Sequence, residues 1–367
     1  MGIRLRRPIE LVLAVLIAAG CFGAGPQGRL VKVWSLDVSQ TVTTRQHERL
    51  SVFALGFSED SRRIAAVVGQ SWDTEFLLVI DTASPNRPMR FDVNPKIWQD
   101  ENVSDDRLHW SSSGEWLIIG NTILELPGGH VCSLPDIPIS PGYQFAGSYA
   151  VGAQLNPPLI SLFDTGCGLA RKIEDVRTSD GHHTTHISIA NASSEPAFLV
   201  VTPNDISAQG ATEILDIRSG EIRRRLPAGF ALAKFADNGR AVCGAGGKAW
   251  HRSIDCVSTE TGEAIGRLNG WNDPGIRAAP KTIRLVISDY ARKLDFIDWR
   301  WYPGPLTKRV VWDYRSQKSI VDWKPQNQQV VLPTPARSQP YRFDISPDGA
   351  YIVEGGDAMV NLYRIEP

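Results

Sequence analysis

The side chains best equipped for chemistry in this 367-residue chain are a histidine cluster, five cysteines and eleven tryptophans. Gly181-His182-His183-Thr184-Thr185-His186 puts three imidazoles within five residues. Neutral imidazole binds divalent transition metals, so Asp180, His182, His183 and His186 could converge on one. His182 and His186 are four apart, which aligns them on a helix, yet the segment leads straight into the strand-like Ile187–Ile189. A solvated loop, with one histidine filling a buried position, is the competing reading, because nothing nearby supplies the partners that orient metal-bound imidazoles. Nucleophilic catalysis has less support. The chain lacks a G-x-S-x-G elbow, and no Ser–His–acid set stands out among many candidates. Gly244-Ala245-Gly246-Gly247 matches neither a phosphate loop nor a dinucleotide fingerprint, and no helical pattern follows it. No catalytic residue and no cofactor are expected.

The cysteines divide by position. Cys21 follows Ala18-Ala19-Gly20 in a stretch like a bacterial lipobox, where an acylated cysteine becomes the mature N-terminus. Ala18 replaces the usual Leu there, so ordinary cleavage after Gly20, releasing a soluble protein, is the alternative. Met1–Gly20 has Arg4, Arg6 and Arg7 ahead of an apolar run from Leu11 to Ala19. That length fits a signal peptide and is too short for a membrane span. Residues 21–28 then form a short linker. The expected location is outside the cytoplasmic membrane: periplasmic, lipid-anchored or secreted. In an exported protein the even set Cys132, Cys167, Cys243 and Cys256 favours disulfides. Cys243 and Cys256 could pair across a hairpin around a GAGGKAW loop, and Cys132 with Cys167 could staple neighbouring repeats. Four buried free thiols are the alternative. The chain has no C-x-x-C, so a zinc knuckle is not supported.

Charge excludes one partner class. Three arginines and one glutamate leave with residues 1–20, so the formal charge moves from −1 to −3. Bulk electrostatics then offer nucleic acid nothing.

The elements that must position these residues are strands. The C-terminal stretch Tyr341–Pro367 alternates apolar and polar residues on either side of the turn Ser346-Pro347-Asp348-Gly349. A bulky residue followed by Ser or Ala and a polar turn recurs seven times. The pairs are Phe57-Ser58, Trp110-Ser111, Phe145-Ala146, Ile189-Ala190, Phe235-Ala236, Ile287-Ser288 and Ile345-Ser346. They lie about 48 residues apart on average, the period of a propeller with four strands per blade. Crowding by innermost strands around a central channel would explain the small residue. Strand endings such as LLVIDTAS (77–84), ISLFDTG (160–166) and RVVWDYRSQKSIVDW (309–323) add an apolar run, an acidic stop and a further strand.

Here the chain resembles the WD-repeat propeller family, of an exported bacterial type. Trp312-Asp313 is the family dipeptide, Val33-Trp34-Ser35 is a variant of it, and His47 stands where the family places a buried histidine. The resemblance is degenerate and covers residues 29–367. It implies an all-β, seven-bladed β-propeller of four-stranded antiparallel blades, one domain closed by pairing of N- and C-terminal strands. The spare strand would be Arg29–Leu36 or a second one near Thr41–Thr44.

Five tryptophans (Trp34, Trp110, Trp116, Trp312 and Trp323) fall in strands as blade core. Trp72, Trp98, Trp250, Trp271, Trp299 and Trp301 fall in segments assigned to one face. Exposed indoles mark contact surfaces unless they anchor their own loops. Trp250, Trp299, Arg300, Trp301 and Tyr302, in second-to-third-strand loops of the fifth and sixth blades, are the candidate ligand-binding residues. The expectation is an exported, non-catalytic binding or scaffold protein of the cell envelope, recognising a peptide, protein or glycan. The alternative is an exported hydrolase or lyase with its site at the channel mouth. Membrane contact would come only through the N-terminal lipid.

Overall fold

The computed structural model describes residues 28–41, 50–70, 73–92, 108–135, 143–146, 148–155, 158–174, 184–189, 198–203, 212–216, 219–226, 230–248, 251–271, 274–294, 301–323, 342–356 and 358–366. Met1–Gly20, Cys21 and His47 lie outside them, as do residues 324–341.

Six antiparallel sheets are each made of four consecutive strands, spanning 51–91, 108–133, 144–174, 184–225, 231–271 and 274–323. We number them one to six. Sheet seven is composite. It combines Arg342–Ile345, Tyr351–Gly356 and Met359–Glu366 with Arg29–Asp37 from the other end of the chain. The register runs from Arg29↔Glu366 to Asp37↔Met359, with an irregularity between Lys32 and Trp34. The chain then enters a 3-10 turn, Val38–Thr41; most of the alternative strand near Thr41–Thr44 lies outside the described residues. The first strands of successive sheets touch one another, and that of sheet seven touches that of sheet one.

Sequence alternation explains why the sheets stack. In Arg63–Gln70, Ile64, Ala66 and Val68 pack towards sheet seven, beside Val353 and Leu362. Ala65 and Val67 point the other way, towards Leu108, Trp110 and Leu117 of sheet two. A strand buried on both faces needs an unbroken apolar run, and β-branched residues suit it. Each fully buried Val, Leu or Ile contributes about 1.5–3 kcal/mol.

The recurring small residue has a different cause from the one the sequence suggested. Ser58, Ser111 and Ser346 are buried in the turn after the first strand. Their hydroxyls accept the backbone N–H five residues on: Arg63 at 2.9 Å, Trp116 at 3.0 Å and Tyr351 at 2.8 Å. The small residue closes the turn; it does not make room in a channel. Ala236 and Ala279 keep the backbone part, accepting from Gly239 and Thr282. In sheet six the equivalent residue is therefore Ala279, and Ile287-Ser288 lies in the second strand, Arg284–Leu294. Ile287-Ser288 is a second apolar–small pair, and Pro280 and Lys281 disguise the true turn.

The acidic stop after the third strand is also a turn device. Asp81 accepts from Ala83 and Ser84 (2.8 and 3.1 Å), and Asp313 from Arg315 and Ser316 (2.9 and 3.0 Å). Asp164 does the same for Gly168 at 2.7 Å. A side-chain oxygen that satisfies turn N–H groups makes the strand end there.

Candidate functional site

The sheets have two ends, and each carries a candidate. The first-to-second-strand turns and the capped third-to-fourth turns share one end, tied together by bonds such as Thr82 N–H to the Arg62 carbonyl, 2.8 Å. The second-to-third-strand connections lie at the other.

At that second end, sheet six is longest. Its central strands, Arg284–Leu294 and Trp301–Asp313, have 11 and 13 residues. Their pairing continues to Lys293↔Tyr302 and Leu294↔Trp301. Trp301, Tyr302 and Pro303 thus belong to a strand, correcting the loop expected for DWRWYPGP. Opposed by Leu294, Lys293 and Arg292, they extend the hairpin. The GAGGK segment is likewise a strand, Ala241–Lys248, joined to His251–Ser258 across residues 249–250 only. Trp250 falls in that two-residue link; with Trp299 and Arg300 it lies outside the described residues, as do Trp72 and Trp98. Trp271 is a plain correction. It is 4% exposed in the fourth strand of sheet five, packed with Ile276 and Trp312, and belongs to the core. The other expected core indoles lie in strands: Trp34, Trp110, Trp116, Trp312 and Trp323.

Of the histidine cluster, His182 and His183 lie outside the described residues, and His186 is placed by register alone, opposite Thr202. Among the described residues no group of three His, Cys, Asp or Glu could hold a metal ion. The cysteines form Cys132–Cys167 and Cys243–Cys256 disulfides, with Cα–Cα distances of 6.0 and 4.0 Å. Cys132–Cys167 links sheet two to sheet three. Cys243 and Cys256 face each other on paired strands of sheet five.

At the turn end, first strands from six sheets line a cavity of about 160 Å³. Six polar side chains come to its wall: Glu59, His109, Gln144, Lys234, Arg277 and Asp344. The last five share one structural position, two residues before the small residue that opens the turn (Ser111, Ala146, Ala236, Ala279 and Ser346). Because side chains alternate, a residue whose neighbour packs between sheets must face the axis. Asp344 also locks two sheets together, accepting the N–H of Phe57 in sheet one and its own neighbour Ile345, both at 2.9 Å. Glu59 receives Lys281 from the turn of sheet six: Nζ lies 2.6 Å from its carbonyl and 3.2 Å from its carboxylate. Next to it, partial burial pulls the Asp60 pKa up. Hydrogen bonds from Ser58 and the Arg62 N–H, with the charge of Arg63, outweigh that and hold it below the usual value.

A buried charge ties sheets six and seven. Arg309 is wholly buried, pairs with Glu354, donates from Nε to Ser288 Oγ at 3.3 Å, and lies 4.2 Å over the Phe343 ring. Trp323 Nε1 donates to the same Glu354 at 3.1 Å. Sheets one and two are joined through Trp110 Nε1, which donates to the Gly56 carbonyl at 2.9 Å.

No protein-family model matches the chain, and no curated protein matches its sequence. Solved structures do match its fold. The β-propeller domain of Cps50 (Swd1) from Myceliophteria thermophila aligns at a TM-score of 0.57 with 13% identity, covering 92% of this chain and 99% of that one. Hydrazine synthase from Kuenenia stuttgartiensis aligns at 0.55 with 14% identity, covering 89% and 98%. At such identities the likeness establishes the fold alone. The chain is an all-β propeller with four-stranded antiparallel blades.

Proposed function

We propose that this chain is an exported, non-catalytic scaffold, a WD-repeat-like seven-bladed propeller closed by its own two ends, that holds a protein partner. Residues 1–20 would direct export, and Cys21 would carry a lipid if the lipobox is used. The contact surface would be the end bearing Trp250, Trp299, Arg300, Trp301 and Tyr302. The extension of the sheet-six hairpin to Leu294↔Trp301 is the observation that carries this reading. It sets aromatic residues at the far end of a paired, backbone-satisfied support. Trp, Tyr and Arg are the types from which energetic hot spots are built, and a hairpin that is already ordered loses little entropy on binding.

The test pairs capture with melting. Trp299→Ala with Trp301→Ala should weaken retention of the partner by a few kcal/mol, on the scale of hot-spot truncations, while the melting temperature barely moves. Large destabilisation with unchanged retention would make these indoles packing anchors and remove the assignment.

A further inference from the structure

We propose that the Cys132–Cys167 bridge is a thiol-exchange site, a reversible latch on the outermost strand of sheet two whose co-reactant is a dithiol. The two disulfides sit in opposite environments. Cys243 and Cys256 are wholly buried, side by side on paired strands and packed among Ile254, Trp312 and Tyr314. Cys132 and Cys167 are only partly buried, at the edge of the apolar cluster between sheets two and three. Exchange needs a thiolate to reach a sulfur. An accessible bridge therefore reacts in the folded protein, whereas a buried one waits for unfolding.

The two halves of the latch are held differently. Cys167 lies in the third-to-fourth-strand turn of sheet three, between the exposed Gly166 and Gly168, with φ at +62°. That turn closes itself. The Cys167 N–H donates to the Asp164 carbonyl at 3.0 Å, and the Asp164 N–H to the Gly168 carbonyl at 2.9 Å. The Gly168 N–H donates to the Asp164 carboxylate at 2.7 Å. Neither glycine has a side chain to screen the sulfur. Cys132 is the middle of a three-residue outermost strand, Val131–Ser133. Val131 and Ser133 are exposed, so Cys132 is the one side chain this strand turns inward. Beyond its ladder to Thr122–Glu125 the strand has little but the bridge to hold it. Breaking the bridge leaves the sheet-three turn in place and lets the sheet-two strand fray.

The chemistry balances with one dithiol. Its thiolate attacks one sulfur of the bridge, breaking the S–S bond, forming a mixed disulfide and releasing the other cysteine as a thiolate. The second thiol of the reagent then displaces the remaining protein sulfur. The dithiol is oxidised to a disulfide, and its two protons pass to Cys132 and Cys167, which are reduced.

Graded dithiothreitol on the native full-length protein, with iodoacetamide trapping and peptide mass mapping, tests this. Labelling of Cys132 and Cys167 at least about a hundredfold faster than that of Cys243 and Cys256 is expected. Equal rates at the two bridges, or no labelling short of global unfolding, would overturn the proposal. Hydrogen exchange reads the release: reduced protein should lose amide protection at 131–133 and keep it at 169–174. Reoxidation with glutathione disulfide should restore the lost protection. Protection at 131–133 that survives reduction, or that does not return, would overturn the latch. So would a folded Cys132→Ser variant that keeps it. The labelling and exchange arms use unaltered protein, so they decide even if that variant fails to fold.

Discussion

The two ends of the sheets are built on opposite principles. At the turn end several connections are short and closed by their own hydrogen bonds. Serine hydroxyls close the first turns, aspartates cap the third strands, and Asp344 and Lys281 cross from sheet to sheet. At the other end, sheet six has the longest of the described strands, 11 and 13 residues, paired out to Leu294↔Trp301. One end uses its polar groups to hold neighbouring sheets together; the other carries the longest hairpin. Removing residues from the framework should cost stability, and removing them from the extension should cost binding.

The largest effect should come from deleting residues 29–37. That strand covers Met359–Glu366, brings in the buried Leu36 and the half-buried Trp34, and sets Trp34 Nε1 on the Thr82 carbonyl at 2.9 Å. Its loss exposes an unpaired edge, and we expect more than about 4 kcal/mol of destabilisation with aggregation, measured by urea unfolding. A truncated protein that unfolds like the full chain would break the composite-sheet account. Next comes Arg309→Met, which leaves Glu354 and the Trp323 indole without their cation. A cost of about 3–5 kcal/mol is expected, with much of it recovered when Glu354→Leu is added. Additive losses in the double variant would contradict the pairing. Replacing Cys132 and Cys167 by Ala should cost about 2–4 kcal/mol, because their bridge closes a loop with a sequence separation of 35. Alkylation of these thiols in unreduced, native protein would show that the bridge is absent. Trp301→Ala should be smallest, below about 1 kcal/mol, because the proposed contact role asks little of this indole for stability.

The sequence carried the architecture because period-2 alternation and turn chemistry are local. Seven turn landmarks were visible, and six mark the strand they were read to mark. The exception, Ile287-Ser288, arose because an apolar–small pair also occurs within a strand buried on both faces. Strand ends at sheet six were misplaced because Pro303-Gly304-Pro305 reads as a turn, although an edge-like extension tolerates proline where no ladder N–H is needed. Trp271 was misassigned because an outer strand can still turn one face inward against the next sheet. The cavity wall was overlooked although its residues were in view. His109, Gln144, Lys234 and Asp344 each precede a landmark, and alternation alone sends that position to the axis. What no local pattern could reveal is the distance between them, since they are spread over more than 230 residues.

The most direct test of the central claim, that the extended end recognises and the turn end supports, is site-specific photocrosslinking in the producing cells. A photoreactive residue would replace Tyr302 in one strain and the exposed Val131, in an outermost strand, in another. The account predicts one discrete crosslinked product from position 302, lost when Trp299→Ala and Trp301→Ala are added, and none from position 131. Equal products from both positions, or a product at 302 that survives loss of both indoles, would contradict it.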